Sequence, residues 1–243
     1  MSSIGLRERK KALTRQHIAD TAARLFAERG YEQVTVSDVA READVAEQTV
    51  YNYFPTKEQL VTDREQQIQD RLCLLIRSRP PGSTPAAAIR QFVRRTVAGI
   101  REIPSELWHG ELGYLAAISP TVHRLALGLI DRQARALAAV ISDTTAVTPE
   151  IARLQGIALA GVFEIIISEA GRRTRDGQSQ TRIARELSRI IESVLDELDL
   201  WFSASKPSRR LAFRRRGRSD RPSQATRRGR SASPAGRRPR RPR

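Results

Sequence analysis

Residues 35–57 read T-V-S-D-V-A-R-E-A-D-V-A-E-Q-T-V-Y-N-Y-F-P-T-K. Two short apolar-periodic segments flank Ala43-Asp44-Val45 and lie too close together for anything but a tight helical corner, the helix-turn-helix pattern. Thr35 is placed to cap the first helix by accepting a backbone N–H of its opening turn, and Asp38 puts negative charge where the helix dipole is positive. Val36, Val39, Ala40 and Ala43 fall on one face. Beyond the corner, Val50 and Phe54 are spaced i, i+4 and would bury against that face.

With Val50 and Phe54 turned inward, a step of about 100° per residue turns Asn52 directly outward and Gln48 and Thr49 nearly so. Tyr51 and Tyr53 flank this strip. Such a surface suits a DNA major groove: Gln and Asn can read adenine edges, Thr can meet a base or a thymine methyl, and tyrosine hydroxyls reach phosphates. Thr35, Ser37 and Glu47 complete the expected DNA-facing set. The stretch holds no catalytic constellation.

A wider window, Ile18 to Leu60, contains L-F-x-x-x-G-Y, then T-V-x-D-V-A, then T-V-Y-x-Y-F-x-x-K-E-x-L. It resembles the N-terminal domain of TetR-family transcriptional regulators. The resemblance covers roughly a quarter of the chain. It implies that the second helix of the motif enters the major groove and that Tyr51, Tyr53 and Lys57 meet the DNA backbone. Two positions depart from the family pattern. Asp44 stands where the family usually has Gly at the corner, although Asp tolerates the left-handed conformation better than most residues. Ala46 stands where a Ser usually caps the recognition helix, a loss of about 1 kcal/mol.

The chain has 243 residues, room for a substantial core in one large or two modest domains, and a formal charge of +16. That charge is unevenly distributed. Residues 204–243 hold 16 Lys and Arg against one acid, Asp220, whereas residues 1–203 are nearly balanced at 27 basic to 26 acidic. Cys73 is the sole cysteine, which excludes an intramolecular disulfide and a cysteine-built zinc site. His17, His109 and His123 are dispersed without metal-ligand spacing, and neither a metal nor a cofactor is expected. No run approaches 18 apolar residues and the N-terminus has no apolar signal core, so neither a membrane span nor a leader is expected, and a cytoplasmic location is.

The expected organisation is all-α: a flexible basic arm at 1–13, a three-helix DNA-binding domain at 14–60, a helical ligand-binding and dimerisation domain at 61–203, and a disordered Arg-rich tail at 204–243. Helices are predicted at about 14–29, from 57 to about 78, and at 85–102, 104–117, 120–143, 149–172 and 180–202. Pro104, Pro120 and Pro149 each sit where a new helix would begin. The tail is too poor in apolar residues to offset its ordering entropy.

Two further sites are expected in the body. Phe92, Thr96, Trp108, His109, Leu112, Tyr114, Leu115 and Phe163 could line a pocket, since apolar helical cavities with a few polar groups are how small molecules are held. Family members carry an inducer pocket here, in sequence too variable for ligand identity to transfer. Leu154, Ile157, Gly161 and Ile165, with the stripe Ile183, Leu187, Ile190, Val194 and Leu198, are expected at a dimer interface. The resemblance implies that the last two helices pair there, as a palindromic operator requires. The expectation is thus a homodimeric DNA-binding regulator, most simply a repressor released from double-stranded DNA by a small-molecule effector. A second reading is an architectural or weakly specific nucleic-acid binder driven by the basic tail. An enzyme is not expected, for want of a nucleophile–base pair, a phosphate loop or a metal cluster.

Overall fold

The computed structural model describes residues 5–205. The calls on residues 1–4 and on nearly all of the Arg-rich tail lie outside these described residues. Ten α-helices follow in order: α1 (Leu6–Arg29), α2 (Val36–Glu42), α3 (Glu47–Tyr53), α4 (Lys57–Arg77), α5 (Pro85–Gly99), α6 (Ser105–Trp108), α7 (Leu112–Ile118), α8 (Pro120–Thr144), α9 (Pro149–Arg175) and α10 (Gln180–Ala204). No strand occurs among the described residues.

Helix starts follow from local chemistry. Thr84, Ser119, Thr148 and Ser179 each precede a long helix and accept a backbone N–H three residues on with the side-chain oxygen. The first three are followed by proline at the first helical position, where no N–H is needed. Arg79 closes the α4–α5 turn by donating to the Thr144 carbonyl at 3.0 Å and the Thr145 hydroxyl at 2.6 Å, tying it to the end of α8.

Three boundaries differ from the sequence reading. Helix α1 begins at Leu6 rather than near Thr14. The run from Arg7 to Gln16 is made of good helix formers with no breaker after Gly5, so Arg7, Arg9, Lys10 and Lys11 stand on the helix instead of on a loose arm. The helix predicted over 85–102 ends at Gly99 and tightens into a 3-10 turn at Ile100–Glu102. The helix predicted over 104–117 is two short ones, broken at 109–111. Gly110 in the break abuts α1 so closely that a Cβ there would lie 1.9 Å from the Ala23 carbonyl oxygen.

Two apolar clusters organise the packing. The larger joins α4, α5, α6, α8, α9 and α10 around Leu72, Ile89, Val93, Leu137, Leu159 and Leu187. Close approaches set its geometry: Gly156 of α9 leaves no room for a Cβ against the Ala134 carbonyl of α8, and Gly171 none against the Gly113 carbonyl of α7. The smaller cluster holds the helix-turn-helix, with Ile18, Leu25, Phe26, Val39, Val50 and Phe54, and also takes in Leu112, Leu115, Val122 and Ala126 from α7 and α8. The head is therefore built onto the body through shared core. Among the described residues α9 is long and apolar enough to cross a membrane by length and composition, although Glu164 interrupts its apolar run. Here its Leu159, Val162, Phe163 and Ile166 are buried in the larger cluster.

Candidate nucleic-acid interface

Helix α2 opens with a reciprocal cap. The Thr35 hydroxyl oxygen accepts the Asp38 N–H at 3.1 Å, and the Asp38 carboxylate accepts the Thr35 N–H at 3.0 Å and its hydroxyl at 2.6 Å. These bonds from Thr35, with Arg41 beside them, hold the Asp38 carboxyl down at about 2. Thr35 is thus occupied in capping, which fixes the axis of α2. Ser37 and Glu47 meet one another, the hydroxyl donating to the carboxylate at 2.7 Å, so the first turns of α2 and α3 are linked across the corner.

The corner itself is left-handed at Asp44, with φ 52°, the single non-glycine residue with positive φ among the described residues. The chain turns there as the Val45 N–H donates to the Ala40 carbonyl at 3.0 Å. His17 of α1 steadies the same point, its ring nitrogen 3.2 Å from the Ala43 carbonyl and hence donating to it. Helix α3 then starts at Ala46 without a side-chain cap.

Val50 and Phe54 are fully buried, and the opposite face is open. Gln48 and Asn52 are exposed, one turn apart, with the Gln48 amide donating to the Asn52 carbonyl oxygen at 3.3 Å. Thr49 is half-buried rather than outward-facing, because it sits beside Val50 on the flank of the helix. Tyr51 is 40% exposed, while Tyr53 is half-buried against the head's core.

Arg15 of α1 anchors the end of this helix. Its Nη1 donates to the Tyr53 carbonyl at 2.7 Å, its guanidinium lies 4.5 Å from the centre of the Phe54 ring, and it grips Asp63 of α4. Sequence reading passed over Arg15; the signal was a basic residue three before the first buried position of α1. Lys57 is half-buried with its ammonium 4.2 Å from the centre of the Tyr31 ring, and burial lowers its pKa. The Tyr31 phenol is pushed up to about 12 by burial, with Glu58 and Glu32 adding to it.

The eight residues expected to line a pocket do not converge on one cavity. Trp108 and Phe163 belong to the larger cluster, whereas Leu112 and Leu115 pack beneath the head, because the break at 109–111 turns α7 toward α1. His109 is exposed with its ring edge against Tyr114 at 4.6 Å, and the Thr96 hydroxyl donates to the Phe92 carbonyl of its own helix. Phe92 and Leu112 share a cavity of about 450 Å³ between α1, α4 and the α6–α7 break. Two buried glutamines were missed, Gln133 of α8 and Gln155 of α9, each with an amide atom lacking a partner. A glutamine on the buried face of an apolar helix was the available signal.

On the expected dimer surface, Leu154 and Ile157 of α9 are about half exposed at 51% and 50%, and Ile165, Ile190, Val194 and Leu198 are partly buried. Ile183 and Leu187 are fully buried inside the chain. They correct the expectation: this side of α10 packs onto α5, where Arg90 and Arg94 pair with Glu192, leaving neither side chain available to a partner.

Fold and exposed strip together form a helix-turn-helix head with an open polar face on α3. Residues 18–63 match the family model for bacterial regulatory proteins of the tetR family. It is similar to the HTH-type transcriptional regulator TcmR of Streptomyces glaucescens, 25% identical over 150 residues, 62% of each chain. It also resembles the dhaKLM operon transcriptional activator DhaS of Lactococcus lactis, 36% identical over 62 residues, 26% of this chain and 33% of the relative. The matched region thus spans less than two thirds of these relatives. A solved structure of NalD, the secondary repressor of the MexAB-OprM efflux pump in Pseudomonas aeruginosa, aligns over 75% of this chain and 97% of its own at 17% identity, with a TM-score of 0.49.

Proposed function

We propose that the protein is a homodimeric, sequence-specific transcriptional regulator that binds a palindromic operator in double-stranded DNA through α3, represses there, and is released when a small molecule binds the helical body. The observation that carries this reading is the exposed Gln48–Asn52 strip on a helix fixed at both ends, by the Ser37–Glu47 bond and by Arg15. Gln48 and Asn52 read bases, Tyr51 meets phosphate, and Thr35, Ser37 and Glu47 hold the two helices in register. Lys57 reaches the DNA backbone from its seat on Tyr31. The partly open apolar face of α9 and α10 supports a two-fold dimer, and a cytoplasmic location follows from the role. Repression rather than activation is the simplest sign, and ligand release requires that the effector favour a state with mismatched reading heads.

Selection of bound fragments from a random DNA pool tests this. A palindrome is expected, with half-sites about 34–36 Å apart or a multiple of that. Gln48→Ala then changes base preference within a half-site, while Lys57→Ala weakens all sequences alike and lowers the salt slope by about one. Recovery of unrelated fragments with no shared sequence would refute it.

A further inference from the structure

An open cavity of about 370 Å³ lies where α1, the first half of α4 and the middle of α8 meet. None of the eight expected pocket residues lines it. Three glutamines of α4, Gln59, Gln66 and Gln69, line it together with Gln133 of α8. Gln133 is 4% exposed, and its Nε2 has no hydrogen-bond acceptor. Buried amide donors are almost always paired, so a donor left in this state at a cavity wall marks where an acceptor is to arrive.

The charge around Gln133 defines what fits. Asp63 is held by Arg15, and the remaining pair of charged groups on the wall, Glu65 and Arg132, are of opposite sign. Burial, with Glu111 nearby, pushes the Glu65 carboxyl up to about 7, against the pull of Arg64, so near neutral pH it can both accept and donate a hydrogen bond. With Glu65 ionised the wall's charges cancel, and with it protonated only the single positive charge of Arg132 is left over; Leu129 is its one purely aliphatic side chain. Glutamine amides and a carboxyl are donor–acceptor groups that match hydroxyls, and the Thr62 hydroxyl, which donates to the Glu58 carbonyl at 3.0 Å, adds an acceptor, while the Gln66 amide already donates to Asp70.

We propose that this cavity binds a small neutral polyhydroxylated molecule, a polyol or monosaccharide, one of whose oxygens accepts the Gln133 Nε2 hydrogen. Its regulatory consequence rests on the function proposed above. Arg15 lines the same cavity and holds the end of α3 through the Tyr53 carbonyl and the Phe54 ring. A ligand that draws Arg15 or Asp63 into its own hydrogen bonds loosens the recognition helix from α4.

The test measures binding directly by calorimetry on the full chain without DNA. The probes are myo-inositol, glucose and N-acetylglucosamine, with citrate and spermidine as charged alternatives. A neutral probe is expected to bind in the millimolar range or tighter, and Gln133→Leu to lose about tenfold or more in affinity, about 1.4 kcal/mol, while melting no lower than the parent. Absence of binding by every neutral probe, tighter binding of citrate or spermidine, or undiminished binding by a folded Gln133→Leu variant overturns the site. A bound probe that leaves affinity for a selected operator unchanged overturns the link through Arg15. Failure to find an operator refutes the proposed function alone, since the calorimetry does not depend on it.

Discussion

Arg15 grips Asp63 with two nitrogens, Nε donating to one carboxylate oxygen at 3.0 Å and Nη2 to the other, across 48 residues of chain. Because Nη1 also donates to the Tyr53 carbonyl, one side chain fastens α1, the end of the recognition helix and α4 together. Arg15→Ala is expected to cost about 1–2 kcal/mol of stability, modest because the arginine is partly exposed. It should weaken operator binding by more than the loss of folded protein explains. Arg15→Lys keeps the charge but not the two-pronged geometry and should recover little. A double-mutant cycle with Asp63→Ala that shows no coupling would remove the clamp.

Much of this head was legible in the sequence because it rests on local rules. The Thr35–Asp38 cap and the inward Val50 and Phe54 each depend on residues within one or two turns, while the left-handed Asp44 and the uncapped Ala46 were flagged by the resemblance. The body was legible as helices but not as sites. Whether Leu112 faces a pocket or the head depends on how α7 turns at Gly110, and that is set by contact with Ala23, far away in sequence. Leu187 and Ile190 share one apolar stripe, and only the position of α5 separates the buried residue from the partly open one.

Asp44 and Ala46 mark stability left unrealised at the corner. Asp44 adopts φ 52°, which glycine takes without steric penalty, and Ala46 offers no oxygen to the first turn of α3. Asp44→Gly and Ala46→Ser are each expected to stabilise by up to about 1 kcal/mol, raising Tm by roughly 2–4 °C apiece. Thermal unfolding followed by circular dichroism checks both. A fall in Tm for Ala46→Ser would mean the serine hydroxyl cannot reach the α3 amides.

The Asp38 carboxylate, held at about 2 by Thr35 and Arg41, predicts an acid response at the head. Its folded pKa lies below the usual aspartate range, so its contribution is present above the unfolded pKa near 4 and is lost as pH falls toward 2. Asp38→Asn should lower stability at pH 7 and flatten the decline between about pH 4 and 2. An unchanged acid limb in the variant would show that the loss arises from other carboxylates.

Gly110 places the body against the head. A Cβ there would lie 1.9 Å from the Ala23 carbonyl oxygen, and backbone cannot yield as a flexible side-chain tip can. Gly110→Ala should therefore force α6–α7 away from α1, costing about 1–3 kcal/mol as overpacking does. Amide exchange should rise in α1 and α7 ahead of α10. A variant with parental Tm and exchange would show that this approach is not tight in solution.

Gly161 separates a dimer contact from core packing more cleanly than the apolar residues around it. It lies on α9 between Ile157 and Ile165, and a Cβ added there meets nothing within 4 Å inside the chain. Gly161→Leu should therefore leave the subunit folded, and slightly steadier, since leucine is the better helix former. If two copies of α9 approach through this face, the added side chain blocks them where a small residue allows close contact. Sedimentation should then show a dimeric parent and a monomeric variant of equal or higher helicity, with operator affinity reduced because one reading head alone meets half a palindrome. A dimeric Gly161→Leu with parental affinity would move the interface off this part of α9, and Val194→Asp on α10 would then be the variant that locates it.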